Sequence, residues 1–66
     1  MATQAVRDQI AHKGLLVEAQ YRARTWSHIS DAIQSVRDLV ADSMGATRRS
    51  RLWAADWATI IKELRA

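Results

Sequence analysis

The sequence predicts an all-α fold, a small antiparallel bundle of three helices. Proline is absent, and the two glycines stand at positions 14 and 45. Alanine, leucine, arginine and glutamine, which are good helix formers, are abundant. No Asn-Gly or Asp-Gly turn and no strict alternation of apolar and polar residues indicates a strand. We treat residues 1–66 as a single helical domain.

The first predicted helix covers about residues 3–23, with Thr3 as its N-cap. Residues at helical spacing form one face of it: Val6, Ile10, Gly14, Val17 and Tyr21. Further apolar residues lie on its other faces: Leu15, Leu16, Ala19 and Ala23. A helix that is apolar on most sides is normally buried. We therefore expect this helix to lie between two neighbours or to contact a second subunit.

The second predicted helix covers about residues 26–44. Its apolar residues have the 3-4-3-4 spacing of coiled-coil packing: Trp26, Ile29, Ile33, Val36 and Val40. Three polar residues are candidate caps at its start: Thr25, Ser27 and Ser30. The alternative is one unbroken helix over 15–44, which would give two long helices in a hairpin. Trp26, near the helix start, is expected to be partly exposed.

The third predicted helix covers about residues 48–65, after a C-cap at Gly45 and an N-cap at Thr47. One face of it is apolar: Trp53, Trp57, Ile60 and Leu64. The opposite arc carries bases without acids: Arg48, Arg51, Lys62 and Arg65. The net charge of +3 comes from this region, because residues 46–66 hold five bases and two acids, whereas residues 1–45 hold five of each.

The basic arc has two functional interpretations beside that of a solvated outer face. It could contact a polyanion such as nucleic acid, or the helix could lie in a membrane interface. The second helix has an acidic outer face at Asp31, Asp38 and Asp42. In one subunit the acidic and basic faces would point away from each other. They would meet between subunits, which favours protein–protein assembly.

The segment from Val40 to Arg48 resembles the first half of a bacterial repressor-type helix-turn-helix. In that motif an alanine is followed four residues later by a glycine at the turn and then by Ser or Thr opening a recognition helix, as at Ala41, Gly45 and Thr47. The resemblance covers about ten residues and departs at Arg51, where a buried aliphatic residue is expected. It implies that Arg48, Arg49 and Arg51 would face DNA.

No pattern of catalytic or metal-ligating residues is evident. Cysteine is absent, so disulfides and thiolate metal sites are excluded. Asp8 with His12, and His28 with Asp31, give only two ligands each. We expect neither an enzyme nor a cofactor or metal. The N-terminus has no apolar region of a signal peptide, so we expect a cytoplasmic protein.

The predicted function is that of a small non-enzymatic helical binding protein, as a regulator, adaptor or assembly factor. A chain of 66 residues has little core, and small scaffolds without disulfides or metals commonly need a partner. We expect a homo-oligomer or a protein partner, with these candidate interface residues: Leu15, Leu16, Ala19, Trp26, Asp31, Asp38 and Asp42. The alternative is nucleic-acid binding through Arg48, Arg51, Lys62 and Arg65, and a membrane-surface helix comes third.

Overall fold

The computed structural model of the protein describes residues 2–44 and 54–66, and within these ranges every regular element is a helix. Four helices follow one another there: α1 (Ala2–His12), α2 (Leu16–Thr25), α3 (Ile29–Met44) and α4 (Ala54–Arg65). The all-α prediction is confirmed. The predicted helix over 3–23 is two helices, and the alternative of one helix over 15–44 is wrong, because the chain leaves helical conformation after residue 12 and again after residue 25.

Gly14 divides the first predicted helix. Its φ is +73°, in the left-handed region that glycine adopts without a steric penalty. The Gly14 amide donates to the Ala11 carbonyl at 3.1 Å, and the Leu15 amide donates to the Ile10 carbonyl at 2.9 Å. These two bonds are the Schellman motif that closes a helix. The sequence prediction placed Gly14 inside a helix, whereas its role is to end α1.

The break at Gly14 changes which face of α2 lies inward. Ala19 and Ala23 are fully buried, whereas Val17 is 79% exposed and Tyr21 is 66% exposed. A left-handed residue redirects the chain, so the helical phase of α1 does not continue into α2. Of the apolar face predicted from helical spacing, Ile10 is therefore buried within the chain, whereas Val17 and Tyr21 are not covered by neighbouring helices.

The turn between α2 and α3 begins at Trp26, whose φ of −96° and ψ of 116° are extended. The Thr25 hydroxyl donates to the Tyr21 carbonyl at 2.7 Å. Thr25 is the last residue of α2, so the prediction that it caps the following helix is wrong. The Ala32 amide donates to the His28 carbonyl at 3.0 Å as the first turn of α3 forms.

One core cluster contains residues from all four helices. α1 supplies Ile10, and α2 supplies two alanines. The larger part comes from the two remaining helices: Ala32, Val36, Leu39 and Val40 in α3, and Trp57, Ile60, Ile61 and Leu64 in α4. Because α2 packs against the other three helices and faces them with alanines, its backbone lies close to its neighbours.

The core contains the apolar face predicted for α4 but only part of the face predicted for α3. On α4, Trp57, Ile60 and Leu64 are buried as predicted. On α3, the buried face is rotated toward Ala32 and Leu39 and away from Ile29, which is 36% exposed. The caps predicted at Gly45 and Thr47, together with Arg48, Arg49, Arg51 and Trp53, lie outside the described residues, as does the turn of the helix-turn-helix resemblance.

Candidate binding surface

Large apolar side chains are exposed along one continuous segment of the described chain, from α2 to the start of α3. The exposed fractions are 41% for Leu16, 79% for Val17, 66% for Tyr21, 46% for Trp26 and 36% for Ile29. Single exposed apolar residues are ordinary, whereas contiguous apolar patches mark surfaces that bind other molecules, and Val17 and Tyr21 line one groove together. This segment is therefore the candidate binding surface.

A shallow groove of about 350 Å³ runs along the outer face of α2, and we call it the α2 groove. It is lined by Val17, Gln20, Tyr21, Arg24 and Thr25. Val17 and Tyr21 are four residues apart, so they lie on adjacent turns. Arg24 is the one charged residue in this lining, and the groove is therefore apolar with a basic rim.

A second groove of about 220 Å³ lies next to it along the chain, and we call it the Trp26 groove. It is lined by Trp26, Asp31, Gln34, Ser35 and Asp38. The indole provides an apolar wall, and both charged residues of the lining are acidic. Gln34 donates to Asp38 at 2.8 Å, which orients both side chains along α3.

The end of α4 holds the turn that carries Trp26. Arg65 donates from Nε to the Ala23 carbonyl at 2.8 Å and from Nη2 to the Trp26 carbonyl at 2.6 Å. Carbonyls at a helix C-terminus lack partners within the helix, and a cation there also interacts favourably with the helix dipole. Arg24 also donates from Nη2 to the backbone oxygen of Ala66 at 3.2 Å. These contacts fix the position where the two grooves meet.

A charge pair on α2 contacts α3. Arg22 donates from Nε to Glu18 at 3.1 Å and from Nη1 to the Ser35 carbonyl at 3.0 Å. The charges of Glu18 and Arg22 offset each other. The difference in charge between the grooves therefore comes from Arg24 in the α2 groove and from Asp31 and Asp38 in the Trp26 groove.

The structure divides the predicted basic stripe. Lys62 is exposed as predicted, whereas Arg65 is half-buried and its guanidinium is bonded to backbone carbonyls of α2 and the following turn. The expectation that Arg65 faces solvent as part of a polyanion site does not match this position. Arg65 takes this position because α4 ends beside carbonyls at the C-terminus of α2 that have no partner within that helix. Arg48 and Arg51 lie outside the described residues.

The predicted interface residues have three positions in the structure. Ala19 is fully buried in the core and is not available to a partner. Leu15 is half-buried and packs against the core. The others are exposed: Leu16, Trp26, Asp31, Asp38 and Asp42. Val17 and Tyr21 were not predicted as surface residues, and the signal that would have found them is Gly14 as a helix end.

A third cavity of about 130 Å³ lies between α1, the start of α2 and α4. Ile10 and Leu64 lie at its base, and Arg7 lies at its edge. Arg7 forms an ion pair with Glu63, which links α1 to α4. The volume suits no more than one side chain of a partner, so we assign this cavity no separate function.

The described part of the chain offers no cluster of three or more histidine, acidic or cysteine side chains for a metal ion. Among these residues, no helix has the length and apolar character needed to cross a membrane.

Comparisons of the chain with protein-family models, with curated proteins and with solved structures give no match. The function is therefore inferred from the surface itself.

Proposed function

We propose that the chain is a small non-enzymatic helical binding protein that acts through protein–protein contacts, including self-association. The observation that carries this proposal is the exposure of Val17 and Tyr21 on the outer face of a helix whose inner face is packed. An isolated bundle gains little from apolar side chains at these two positions. A partner that covers them removes apolar surface from water, and each Å² removed contributes about 25 cal/mol of favourable free energy.

The residue types also support a protein-binding role. Tyrosine, tryptophan and arginine are the residues most enriched among those that dominate binding energy at protein interfaces. Tyr21, Arg24 and Trp26 provide one of each within the last turns of α2 and its C-terminal end. The backbone around them is held by the Arg65 contacts, so little ordering would be needed on binding.

Light scattering across a concentration series tests the proposal. We expect the mass of the wild-type protein to rise above 7.5 kDa as concentration increases. Val17→Glu and Tyr21→Glu should each prevent the rise, because a carboxylate in the α2 groove must lose its hydration when a partner docks. Ala5→Glu adds the same charge at an exposed position of α1 and should leave the association unchanged.

A short DNA duplex in a parallel series examines the nucleic-acid alternative. A mass that stays at 7.5 kDa alone and rises only with duplex at low salt would contradict the proposal, since salt-dependent association indicates phosphate contacts.

A further inference from the structure

We infer that the partner is a second copy of this chain, in a two-fold dimer where the α2 groove of each copy contacts the Trp26 groove of the other. This inference rests on the proposed function and deepens it by naming the partner and the pairing of surfaces. Each groove has an apolar wall, and the charged residues that line the two grooves are opposite in sign. Complementary charges set the register of an interface and exclude the like-charged pairing.

The position of the grooves favours a two-fold arrangement. Thr25 lines one groove and Trp26 lines the other, and these two residues are consecutive in the chain. In a two-fold interface, when residue i contacts residue j of the other copy, residue j also contacts residue i. With a two-fold axis near these residues, a contact between Arg24 and Asp31 of the second copy is accompanied by the equivalent contact between Asp31 and Arg24 of the second copy. Each dimer gains both contacts.

Pairing like grooves is less favourable. Two α2 grooves would bring two Arg24 side chains together, and two Trp26 grooves would bring two Asp31 side chains together. Like charges that face each other across an interface oppose association. Only the pairing of unlike grooves places Arg24 and Asp31 opposite a residue of opposite charge.

Charge reversal distinguishes this pairing from others. Arg24→Glu places a carboxylate opposite Asp31, and Asp31→Lys places an ammonium opposite Arg24. Each variant alone should raise the dimer dissociation constant at least about tenfold, because two like-charge contacts form in each dimer. Mixing the two variants in equal amounts should restore the dimer, because the introduced carboxylate of one variant then faces the introduced ammonium of the other. The remaining contact in that mixed dimer is the native one.

The measurement is light scattering of the wild type, each variant and the mixture, with circular dichroism to show that each variant is folded. Matched controls reverse charges outside the grooves: Lys62→Glu and Asp42→Lys, both at exposed positions. These controls should dimerise as the wild type does. If Arg24→Glu fails to fold, the test is repeated with the separate variants Gln20→Glu and Gln34→Lys and their mixture, because Gln20 lines the α2 groove and Gln34 lines the Trp26 groove.

Each outcome decides the inference. Monomeric single variants, a dimeric mixture and a wild-type mass that stops at about twice 7.5 kDa support it. A wild type that dimerises and is insensitive to Asp31→Lys overturns the pairing and leaves self-association standing. A mass that grows beyond two copies overturns the two-fold arrangement. A wild type that stays monomeric at all concentrations overturns the inference together with self-association.

Discussion

Arg65 of α4 donates from Nε to the carbonyl of Ala23 in α2 at 2.8 Å, and this bond joins residues 42 positions apart. The same guanidinium reaches the Trp26 carbonyl at 2.6 Å. One side chain thus caps α2, fixes the turn into α3 and attaches α4 to both. The candidate binding surface depends on this contact, because the turn carries Trp26.

Replacing Arg65 should therefore destabilise the bundle. Arg65→Ala leaves the carbonyls of Ala23, Trp26 and Ser27 without their charged donor, and we expect a loss of about 1–3 kcal/mol in the free energy of unfolding. Arg65→Lys should recover only part of this, because an ammonium cannot reproduce the planar fork of donors. Urea denaturation followed by circular dichroism measures both. Lys62→Ala is the control, and equal effects at positions 62 and 65 would contradict the assignment.

Gly14 should tolerate few substitutions although its surroundings are open. A Cβ at this position would meet no atom within 4 Å, so any cost comes from the φ of +73°. We expect Gly14→Ala to reduce stability by about 1–2 kcal/mol and Gly14→Asn to reduce it less, since asparagine adopts this region more readily. In thermal unfolding, the melting temperature should be highest for the wild type, lower for Gly14→Asn and lowest for Gly14→Ala. Lys13→Ala is the neighbouring control, and an unchanged melting temperature for Gly14→Ala would show that α1 does not need this turn.

The alanines of α2 should resist enlargement. Ala23 is fully buried where α2 packs against its neighbours, so Ala23→Leu should destabilise the protein by about 1–3 kcal/mol through overpacking. Ala5→Leu makes the same chemical change at an exposed position of α1 and should be nearly neutral. Denaturation midpoints compare the two. A stabilising effect of Ala23→Leu would indicate that α2 is separated from its neighbours by unfilled space.

Trp57 offers a test of a buried polar group. Its side chain is fully buried, and the indole Nε1 has no hydrogen-bond partner among the described residues. Trp57→Phe loses buried volume, but it also removes an unpaired N–H whose burial costs about 1–3 kcal/mol. We expect the two effects to offset each other to within about 1 kcal/mol. Circular dichroism is the suitable readout, because the substitution removes a fluorophore. A loss as large as that of Ile60→Ala, about 2–5 kcal/mol, would contradict this.

The helical class and the inward face of α4 could be predicted from the sequence because both depend on local properties. Composition determines helix propensity, and the 3.6-residue period places Trp57, Ile60 and Leu64 on one side. The exposure of Trp26 was also predicted from its position near a helix start, and at 46% it is confirmed.

The position of the binding surface could not be predicted in the same way. Gly14 was interpreted as part of a helix because a single glycine is compatible with one, and only the positive φ shows that it is a terminus. Because one continuous helix was assumed, Val17 and Tyr21 were placed on the same face as Ile10, and their exposure was not predicted. Arg65 was assigned to a solvated stripe because its partners are backbone carbonyls of a distant helix, which no periodicity reveals.

The ten residues of α2 have a consequence for how ligand binding and folding are coupled. An isolated helix of this length is marginal in water, and two inward alanines add little apolar burial of their own. α2 is therefore ordered only while the other helices enclose it. Hydrogen exchange of its amides should report the opening of the whole bundle, without a separate local event. Any ligand on its outer face then recognises the assembled bundle alone, and each increase in occupancy shifts the chain toward the folded population by mass action.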